Sequence, residues 1–413
     1  MATAVPWIEH KFTVRFLTPA FLGDAEQKGR WRTPPFKALL RQWWRVAYAA
    51  QQNYGVSIAA MREAEGKLFG NAWLKDQEGG RQKADYCRSR VRLRLDRWEP
   101  GKLTTWQDLE PRLIQHPEVE KPPQIGPHLY LGYGPLIVPR GSSVTTLKSP
   151  PAIGAGETAT LALAFPPEEE SLLLQALRLM HLYGTAGGRS RNGWGSFVLE
   201  PAPQTSARIP TRKWDAALAQ SWAHAIGQDD KGPLIWQTAK VYSDWRELMR
   251  DLAVIRIAVR TQFPFQGTEP HNQPELRHWL AYPVTHHTCE AWGKQLRLPN
   301  SLRFKAVQQE DTPERQKQLR LPNSLRFKVR PATGDGKQLV GVIYHMPCLP
   351  PAEFGPNSYR QQIQKTWEQV HWLLDELTKP AGERDFHQRI KESKWLEKVR
   401  PQLNGIALQR IGE

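Results

Sequence analysis

Hydrophobic and polar positions follow two different periods along the first half of this chain. Phe12, Val14 and Phe16 alternate with polar neighbours, which predicts a β-strand. The stretch that begins at Pro34 repeats its apolar residues every three or four positions, which predicts a helix with proline at its start. The same two patterns continue, and they predict a helix over 57–69, strands over 89–98, 129–138 and 157–166, a helix over 171–183 and a strand over 194–200.

This order of elements predicts the α+β class. Strand, helix, strands, helix and strand follow one another as in the split βαβ, ferredoxin-like arrangement that RNA-recognition domains also use. Residues 99–128 are rich in proline and charge, which predicts a long loop or insertion between two of the strands. We therefore expect the first half to be one ferredoxin-like (RRM-like) domain with a glycine-rich loop before its last strand.

The second half predicts a degenerate copy of the same arrangement. The segment 201–213 is polar and contains three prolines, so we place there the boundary between an N-terminal domain, 1–205, and a C-terminal domain, 206–413. Beyond it the patterns predict a helix over 214–226, a strand over 234–241, a helix over 244–263, two strands joined by a Gly-Asp-Gly turn within 324–347, and a helix over 358–377.

The glycine-rich loop has the sequence GTAGGRSRNGWGSF, from Gly184 to Phe197, and contains Arg189 and Arg191. Glycine lets another backbone approach closely, and arginine donates paired hydrogen bonds to phosphate. The stretch has neither the Walker spacing nor the dinucleotide fingerprint, because it follows a helix and precedes a strand. Two interpretations stay open on these residues alone: a loop that binds an anion such as phosphate, and a glycine-rich helix C-cap with solvated arginines.

The charge balance favours a polyanionic partner. The chain has 57 Lys and Arg against 41 Asp and Glu, a formal net charge of +16, which favours nucleic acid. We expect no signal peptide and no membrane span, because no apolar run is long enough. Cys87, Cys289 and Cys348 are scattered, which is typical of a reducing compartment. We therefore expect a cytoplasmic protein without a membrane partner.

One sequence, KQLRLPNSLRFK, occurs twice without a mismatch, at 294–305 and at 317–328. Two copies do not make a repeat protein. The second copy leads directly into the predicted strand pair, whereas the first leads into a polar stretch. We therefore expect a local duplication, natural or artificial, within 294–328. In it the second copy occupies the structural position and the first is a mobile insertion.

Three stretches together resemble one protein family. LTPAFLGDAEQKGRWRTPPFKALLRQWWRVAY resembles the opening of the first-numbered Cmr subunit of type III-B CRISPR effector complexes, where a strand ending in Thr-Pro precedes a helix with the pattern R-x-P-x-F-K-x-x-L-R-x-W-W-R. GGRSRNGWGSF resembles the glycine-rich loop of the wider RAMP superfamily. RLPNSLRFK is similar to a later R-L-P-S-P-L-x-F-K segment, with Asn323 and Ser324 in place of Ser-Pro. The matching positions in the first two stretches are Arg32, Pro34, Phe36, Lys37, Leu40, Arg41, Trp43, Trp44, Arg45, Gly188, Arg189, Ser190, Arg191, Gly193, Trp194 and Gly195.

The resemblance implies a fold of two ferredoxin-like domains and a noncatalytic, RNA-binding role. Members hold guide and target RNA at the end of the complex where the guide's 3′ end lies, for antiviral defence. The implied partners are CRISPR guide RNA, target RNA and other Cmr subunits, notably the backbone RAMP subunit, to which target cleavage belongs. Neither a cofactor nor a metal ion is expected.

We expect the first helix and the glycine loop to flank one groove that holds RNA. Arginine forks and loop amides would bind phosphate, and Trp31 and Trp194 would stack on bases, a contact worth roughly 1–3 kcal/mol per base. Such binding is dominated by the RNA backbone, sensitive to salt and tolerant of sequence. Trp43 and Trp44 are expected in the core or an interface. The candidate RNA-binding residues are Lys28, Arg30, Trp31, Arg32, Lys37, Arg41, Arg45, Gly188, Arg189, Ser190, Arg191 and Trp194.

Two other functions stay open. A metal-independent CRISPR RNA-processing endoribonuclease of the RAMP superfamily would need a general base, for which His10 and His181 are the candidates. Asp24 in the first loop is a further, less favoured catalytic candidate. The second alternative is an unrelated nucleic-acid-binding protein. A zinc site is disfavoured because the chain has no CxxC pair; its ligands would come from His286, His287, Cys289, His345 and Cys348.

Overall fold

The structure is a computed structural model that describes residues 7–72, 86–107, 109–120, 122–267, 270–292, 319–332 and 337–412. In the first half the strands and helices are β1 (Ile8–Phe16), α1 (Thr33–Gln51), α2 (Ile58–Phe69), β2 (Asn71–Ala72), β3 (Tyr86–Cys87), β4 (Arg92–Leu95), β5 (Ile114–Gln115), β6 (Gln124–Ile125), α3 (Pro127–Gly132), β7 (Leu136–Ile137), β8 (Thr146–Leu147), β9 (Thr158–Phe165), α4 (Glu170–Tyr183) and β10 (Phe197–Glu200). In the second half they are β11 (Thr211–Lys213), α5 (Trp214–Ala217), β12 (Ile226–Asp229), β13 (Gly232–Pro233), β14 (Ile235–Thr238), α6 (Trp245–Thr261), β15 (Leu325–Pro331), β16 (Leu339–His345), α7 (Arg360–Glu376), α8 (Ser393–Lys398), α9 (Arg400–Leu403) and β17 (Leu408–Arg410).

The first four-stranded sheet has the order β10-β1-β9-β4, and every neighbouring pair is antiparallel. The alternation of Phe12, Val14 and Phe16 places all three side chains on one buried face, with at most 5% exposure. Helix α1 packs against α4 on this face, and its apolar residues are as buried as those of the strand. The helix and strand predicted from the two periods are therefore confirmed here.

The second four-stranded sheet has the order β15-β16-β14-β17, again antiparallel throughout. Helix α6 connects its first strand to its second, and α7 precedes its last strand. When the strands are numbered within each half, both sheets have the order second, third, first, fourth. The prediction of an α+β protein is confirmed, with antiparallel main sheets in both halves.

The two halves share their hydrophobic cores. Trp194 and Val198 of the first half belong to the same buried cluster as Met249 and Phe327 of the second. A second cluster joins Trp43 of α1 to residues of β14 and β16. Aromatic contacts cross the same junction, because the rings of Trp194 and Trp245 lie 5.9 Å apart at a steep angle. The predicted boundary at 205/206 stays a prediction.

Two predicted elements are wrong. The strand expected over 129–138 forms only at Leu136–Ile137, and residues 129–132 belong to helix α3. Pro127 begins this helix, and a carboxylate oxygen of Glu110 accepts from the amides of His128 and Leu129. The helix expected over 214–226 ends at Ala217. The chain then returns as β12, which pairs in parallel with β11 at the end of the predicted linker. In both places a tertiary contact overrides the local pattern.

The second copy of the duplicated sequence is part of the second sheet, since β15 begins at Leu325. The first copy and the Gly-Asp-Gly turn lie outside the described residues. In the part of the chain that the structure describes, helices with the length and apolar character needed to cross a membrane are absent.

Candidate functional site

The glycine loop, Gly184 to Phe197, folds back on the loop that follows β1. The Gly188 amide donates to the carbonyl oxygen of Phe21 at 2.9 Å, and the Gly195 amide donates to that of Pro19 at 2.8 Å. Gly195 has φ +64°, and a Cβ atom there would lie 1.8 Å from the carbonyl oxygen of Ala186. Only glycine fits such a position, which explains part of the glycine content.

The tip of the loop carries free backbone donors. The amides of Asn192 and Gly193 turn inward and bond the carbonyl oxygens of Arg189 and Ser190. The amides of residues 189–191 donate to no group within the described part of the chain. Arg189 has φ +55°, the left-handed conformation that takes part in anion-binding backbone nests. The free donors therefore lie beside the two loop arginines.

The second copy of the duplicated sequence lies directly along this loop. The Phe327 amide donates to the carbonyl oxygen of Arg191 at 3.0 Å, and the Val329 amide donates to Ser196 Oγ at 2.9 Å. Lys328 is fully buried, and its Nζ donates to the carbonyl oxygens of Gly184, at 2.5 Å, and Phe197. Burial lowers the pKa of Lys328 well below its ordinary value. A strand of the second half thus holds the loop of the first.

An arginine-lined cleft of about 660 Å³ opens where the two halves meet at the loop. Its wall is formed by the middle of α1, the glycine loop, α6, the segment 281–283, the second copy of the duplicated sequence and Tyr344 of β16. Among its described lining residues there is no Asp or Glu. The guanidinium groups around it belong to Arg189, Arg191, Arg256, Arg320 and Arg326. We call this site the arginine cleft.

The positive charges of the cleft lie close to one another, and the exposure of the arginines ranges from buried Arg256 to exposed Arg189. Burial lowers the pKa of Arg191 to about 10, and the neighbouring Arg326 adds to this shift. Burial also lowers the pKa of Arg256 to about 10, with a further contribution from Arg260. Both groups stay protonated at neutral pH, because these values lie well above 7. An anion in the cleft would relieve the repulsion, so the site is electrostatically suited to phosphate.

The structure places three of the predicted residues, Arg189, Ser190 and Arg191, in the cleft wall. Gly188 lies in the same loop, but its amide is already bonded to Phe21. The interpretation of the loop as a simple helix C-cap does not account for its contacts, since the second half packs along it.

The basic row Lys37, Arg41 and Arg45 does not face the cleft. Helix α1 presents other residues to the cleft, among them Gln42, and the row lies roughly half a turn away around the helix. Arg41 and Arg45 both bond the buried carboxylate of Glu65, each at 2.5 Å from Nε. Lys37 Nζ donates to Ser89 Oγ at 3.0 Å. The expectation that this row and the loop arginines flank one groove is therefore corrected.

The loop after β1 also stays outside the cleft lining. Lys28 pairs with Glu26 at 2.8 Å, and Arg30 approaches Asp24 at 3.8 Å. Arg32 directly precedes α1 and is absent from the cleft lining. RNA binding by these three residues stays a prediction.

Trp31 and Trp194 are core side chains. Trp31 is 1% exposed and its ring lies parallel to that of Phe36, while Trp194 is fully buried. Neither presents a free ring face, so the expectation that they stack on bases is corrected. Trp43 and Trp44 are buried as expected.

The catalytic candidates have structural contacts. His10 packs on Phe165 and lies 3.4 Å from Glu170, and neither His10 nor His181 lines the arginine cleft. His181 Nδ1 accepts from the Leu199 amide, and burial lowers the pKa of His181 to about 4. Asp24 Oδ1 accepts from the amides of residues 26 and 28 within its own loop. Across the described ranges, groups of three or more potential metal ligands are absent.

Sequence reasoning missed Arg256, Arg320 and Arg326. Arg320 and Arg326 belong to the RLPNSLRFK stretch, which drew attention only through its duplication and its resemblance to a family segment. Arg256 lies on a helix whose apolar residues predict burial. An arginine among such positions is unusual, and this was the feature of the sequence that could have identified Arg256 as a site residue.

Fold and cleft together define an α+β protein with a cationic site between two similar halves. Residues 13–198 match the model of the RAMP superfamily. Among solved structures the chain is similar to Cmr1 from Pyrococcus furiosus in its apo form, with 14% identity and a TM-score of 0.37 over 83% of this chain and 90% of that chain. No curated protein sequence matches the chain.

Proposed function

We propose that this chain is a noncatalytic RNA-binding subunit of a type III-B CRISPR effector complex. In this role it holds guide or target RNA near the guide's 3′ end. The observation that carries the proposal is the arginine cleft, where five guanidinium groups meet without a carboxylate among the described lining residues. The match of residues 13–198 to the RAMP superfamily model and the net charge of +16 support it. The assignment to this particular subunit rests on the motifs of the first helix and of RLPNSLRFK.

The same proposal includes the finer description of the fold. We interpret both halves as ferredoxin-like units, because each runs strand, helix, strand, strand, helix, strand and each main sheet has the same internal strand order. A cytoplasmic location and partnership with the backbone RAMP subunit belong to the proposal as well.

Binding in the cleft would rest on charge and backbone donors. Arginine forks and the free amides of residues 189–191 match the oxygens of phosphate, which every RNA sequence presents. The lining has no exposed aromatic ring face for base stacking, since Trp43, Tyr183 and Tyr344 are buried. We therefore expect binding that depends on salt and tolerates changes of sequence.

The noncatalytic part of the proposal is supported by the position of the histidines. A metal-independent ribonuclease needs a general base within hydrogen-bond reach of the 2′-hydroxyl. His10 and His181 lie outside the cleft lining, and the Nδ1 atom of His181 is already engaged. The ribonuclease remains the competing function in the experiment below.

The test is binding of labelled single-stranded RNA to the full chain, with gel analysis of the same samples. The variant Arg189→Ala/Arg191→Ala is compared with Arg94→Ala/Arg360→Ala, which removes the same charge from exposed positions outside the cleft. Intact RNA, with binding lost only in the first variant, agrees with the proposal. Cleaved RNA would favour the ribonuclease, and failure to co-purify with other Cmr subunits would contradict the assignment to the complex.

A further inference from the structure

The arginine cleft has buried hydrogen-bond donors that lack acceptors. Five of its described lining side chains each contain a nitrogen atom that is buried without a partner in the described structure. Every such atom in the lining is a nitrogen that can donate, and none is an oxygen. The atoms are Gln42 Nε2, Trp43 Nε1, Arg256 Nη1, Asn323 Nδ2 and Arg326 Nε. Buried polar groups are nearly always paired, so this cluster indicates a missing acceptor.

The arginines of the cleft fall into two groups that differ in solvent exposure. Arg189, Arg191 and Arg320 are exposed and form its rim. Arg326 is half-buried and Arg256 is only 8% exposed, and the buried side chains of Trp43 and Tyr344 line the same cleft. An uncompensated buried charge is costly, and in the described lining no carboxylate compensates Arg256. We call the part of the cleft at these two less exposed arginines, Arg256 and Arg326, its inner end.

We propose that the arginine cleft binds a phosphomonoester of a nucleotide, with the phosphate at Arg256 and Arg326 and the rest of the molecule toward the rim. A chain terminus or a free nucleotide brings a phosphate to the buried Arg256 with less steric obstruction than the middle of a continuous RNA strand does. Its volume of about 660 Å³ is suited to one nucleotide.

The charge of the ligand follows from the charge of the lining. A phosphodiester in the middle of an RNA chain carries a single negative charge. A phosphomonoester carries about −1.5 to −2 at neutral pH and offers three terminal oxygens as acceptors. It therefore satisfies more of the unpaired donors and offsets more of the guanidinium charge. This inference rests on the proposed function only where the ligand is the end of an RNA chain. A free nucleotide offers the same phosphomonoester, and its binding does not depend on that function.

The experiment compares ligands that differ only in a terminal phosphate. One short single-stranded RNA is prepared with hydroxyl groups at both ends, with a 5′-phosphate, and with a 3′-phosphate. Binding of each to the full chain is measured at a fixed salt concentration. AMP, with adenosine as its control, tests the free nucleotide. We expect one phosphorylated form to bind about tenfold more tightly than the hydroxyl form, the gain of one or two charge-assisted hydrogen bonds.

Three variants show where the terminal phosphate lies. Arg326→Gln removes a donor from the inner end and is expected to abolish the advantage of the phosphorylated RNA. Arg320→Gln removes a rim charge and is expected to weaken all RNA forms alike. Arg94→Gln is the matched control on the exposed face of β4. Thermal unfolding of each variant verifies that it is folded. A further variant, Arg256→Gln, is included in the binding measurements if its thermal unfolding matches that of the wild type.

The outcomes separate this inference from the proposed function. Equal affinity for the three RNA forms, with no binding of AMP, would overturn the inference and leave RNA binding intact. Binding of AMP without binding of RNA would uphold the phosphomonoester site and contradict the RNA-binding role. A terminal-phosphate advantage that persists in Arg326→Gln would place the phosphate elsewhere and overturn the inference.

Discussion

Lys328 Nζ lies 2.5 Å from the carbonyl oxygen of Gly184, and this contact joins β15 of the second half to the beginning of the glycine loop. The same nitrogen donates to the carbonyl oxygen of Phe197, at 2.6 Å, where the loop ends. One fully buried side chain therefore bridges both ends of the loop. The shape of the arginine cleft depends on this bridge, because loop and strand form two of its walls.

The variant Lys328→Met tests the bridge. Methionine preserves much of the side-chain volume but leaves two buried carbonyl oxygens without their donor. We expect the free energy of unfolding to fall by about 2–4 kcal/mol, since each buried acceptor left without its donor costs about 1–3 kcal/mol. Urea unfolding measures the change. Lys365→Met, at an exposed position on α7, is the control, and equal stabilities of the two variants would contradict a bridging role.

The variant Gly195→Ala tests the close approach inside the glycine loop. An alanine Cβ would meet the carbonyl oxygen of Ala186 at 1.8 Å, in a backbone conformation that L-residues rarely adopt. We expect a loss of about 3 kcal/mol or more in unfolding free energy, together with loss of RNA binding. Gly405→Ala is the matched control, because open space surrounds that position. If both variants unfold alike, the loop does not have the described geometry.

The slope of RNA affinity against salt distinguishes the arginine cleft from the basic row of α1. Each phosphate neutralised on single-stranded RNA contributes about 0.7 to the slope, so Arg189→Ala/Arg191→Ala should flatten it by about 1.4. Arg41→Ala/Arg45→Ala should leave the slope unchanged, because both cations already bond Glu65. Titrations across a salt series measure both slopes. The reverse pattern would move the RNA site to α1.

Local periodicity predicted much of the fold. Strand β1, helices α1, α2, α4, α6 and α7, and the strand pair β15 and β16 all follow from apolar spacing. Helix α3 and the short α5 did not, because their ends are set by partners distant in sequence: Glu110 for α3, and the pairing of β11 with β12 after α5. A periodic pattern contains no information about such partners.

The candidate site was predicted only in part for the same reason. Arg189 and Arg191 were found because they lie among glycines in one loop. Arg256 and Arg326 join them only through the packing of the second half against that loop. The basic row on α1 was predicted to line the RNA groove because a helical projection shows only its charges. It does not show the carboxylate of Glu65 on the next helix, which pairs with two of them. Trp31 was predicted to stack on bases, yet its ring packs on Phe36.

Several buried histidines make the stability of the fold dependent on pH. Burial lowers the pKa of four of them to about 4 and that of His371 to about 3. The four are His116, His128, His181 and His278. In the unfolded chain each has an ordinary pKa of about 6.5, so below that value the unfolded state binds more protons than the folded state. Stability present at neutral pH is therefore lost as pH falls from about 7 toward 4.

The variant His128→Gln tests this dependence. His128 is fully buried and its Nε2 lies 3.1 Å from the carbonyl oxygen of Arg246, a bond that a glutamine amide can replace. Between pH 7 and pH 5 we expect the wild type to lose up to about 2 kcal/mol per buried histidine, and the variant to lose less by one such contribution. Urea unfolding at several pH values measures this, with the exposed His387→Gln as control. A wild-type stability that stays flat from pH 7 to pH 5 would show that these histidines are protonated in the folded state, contrary to their burial.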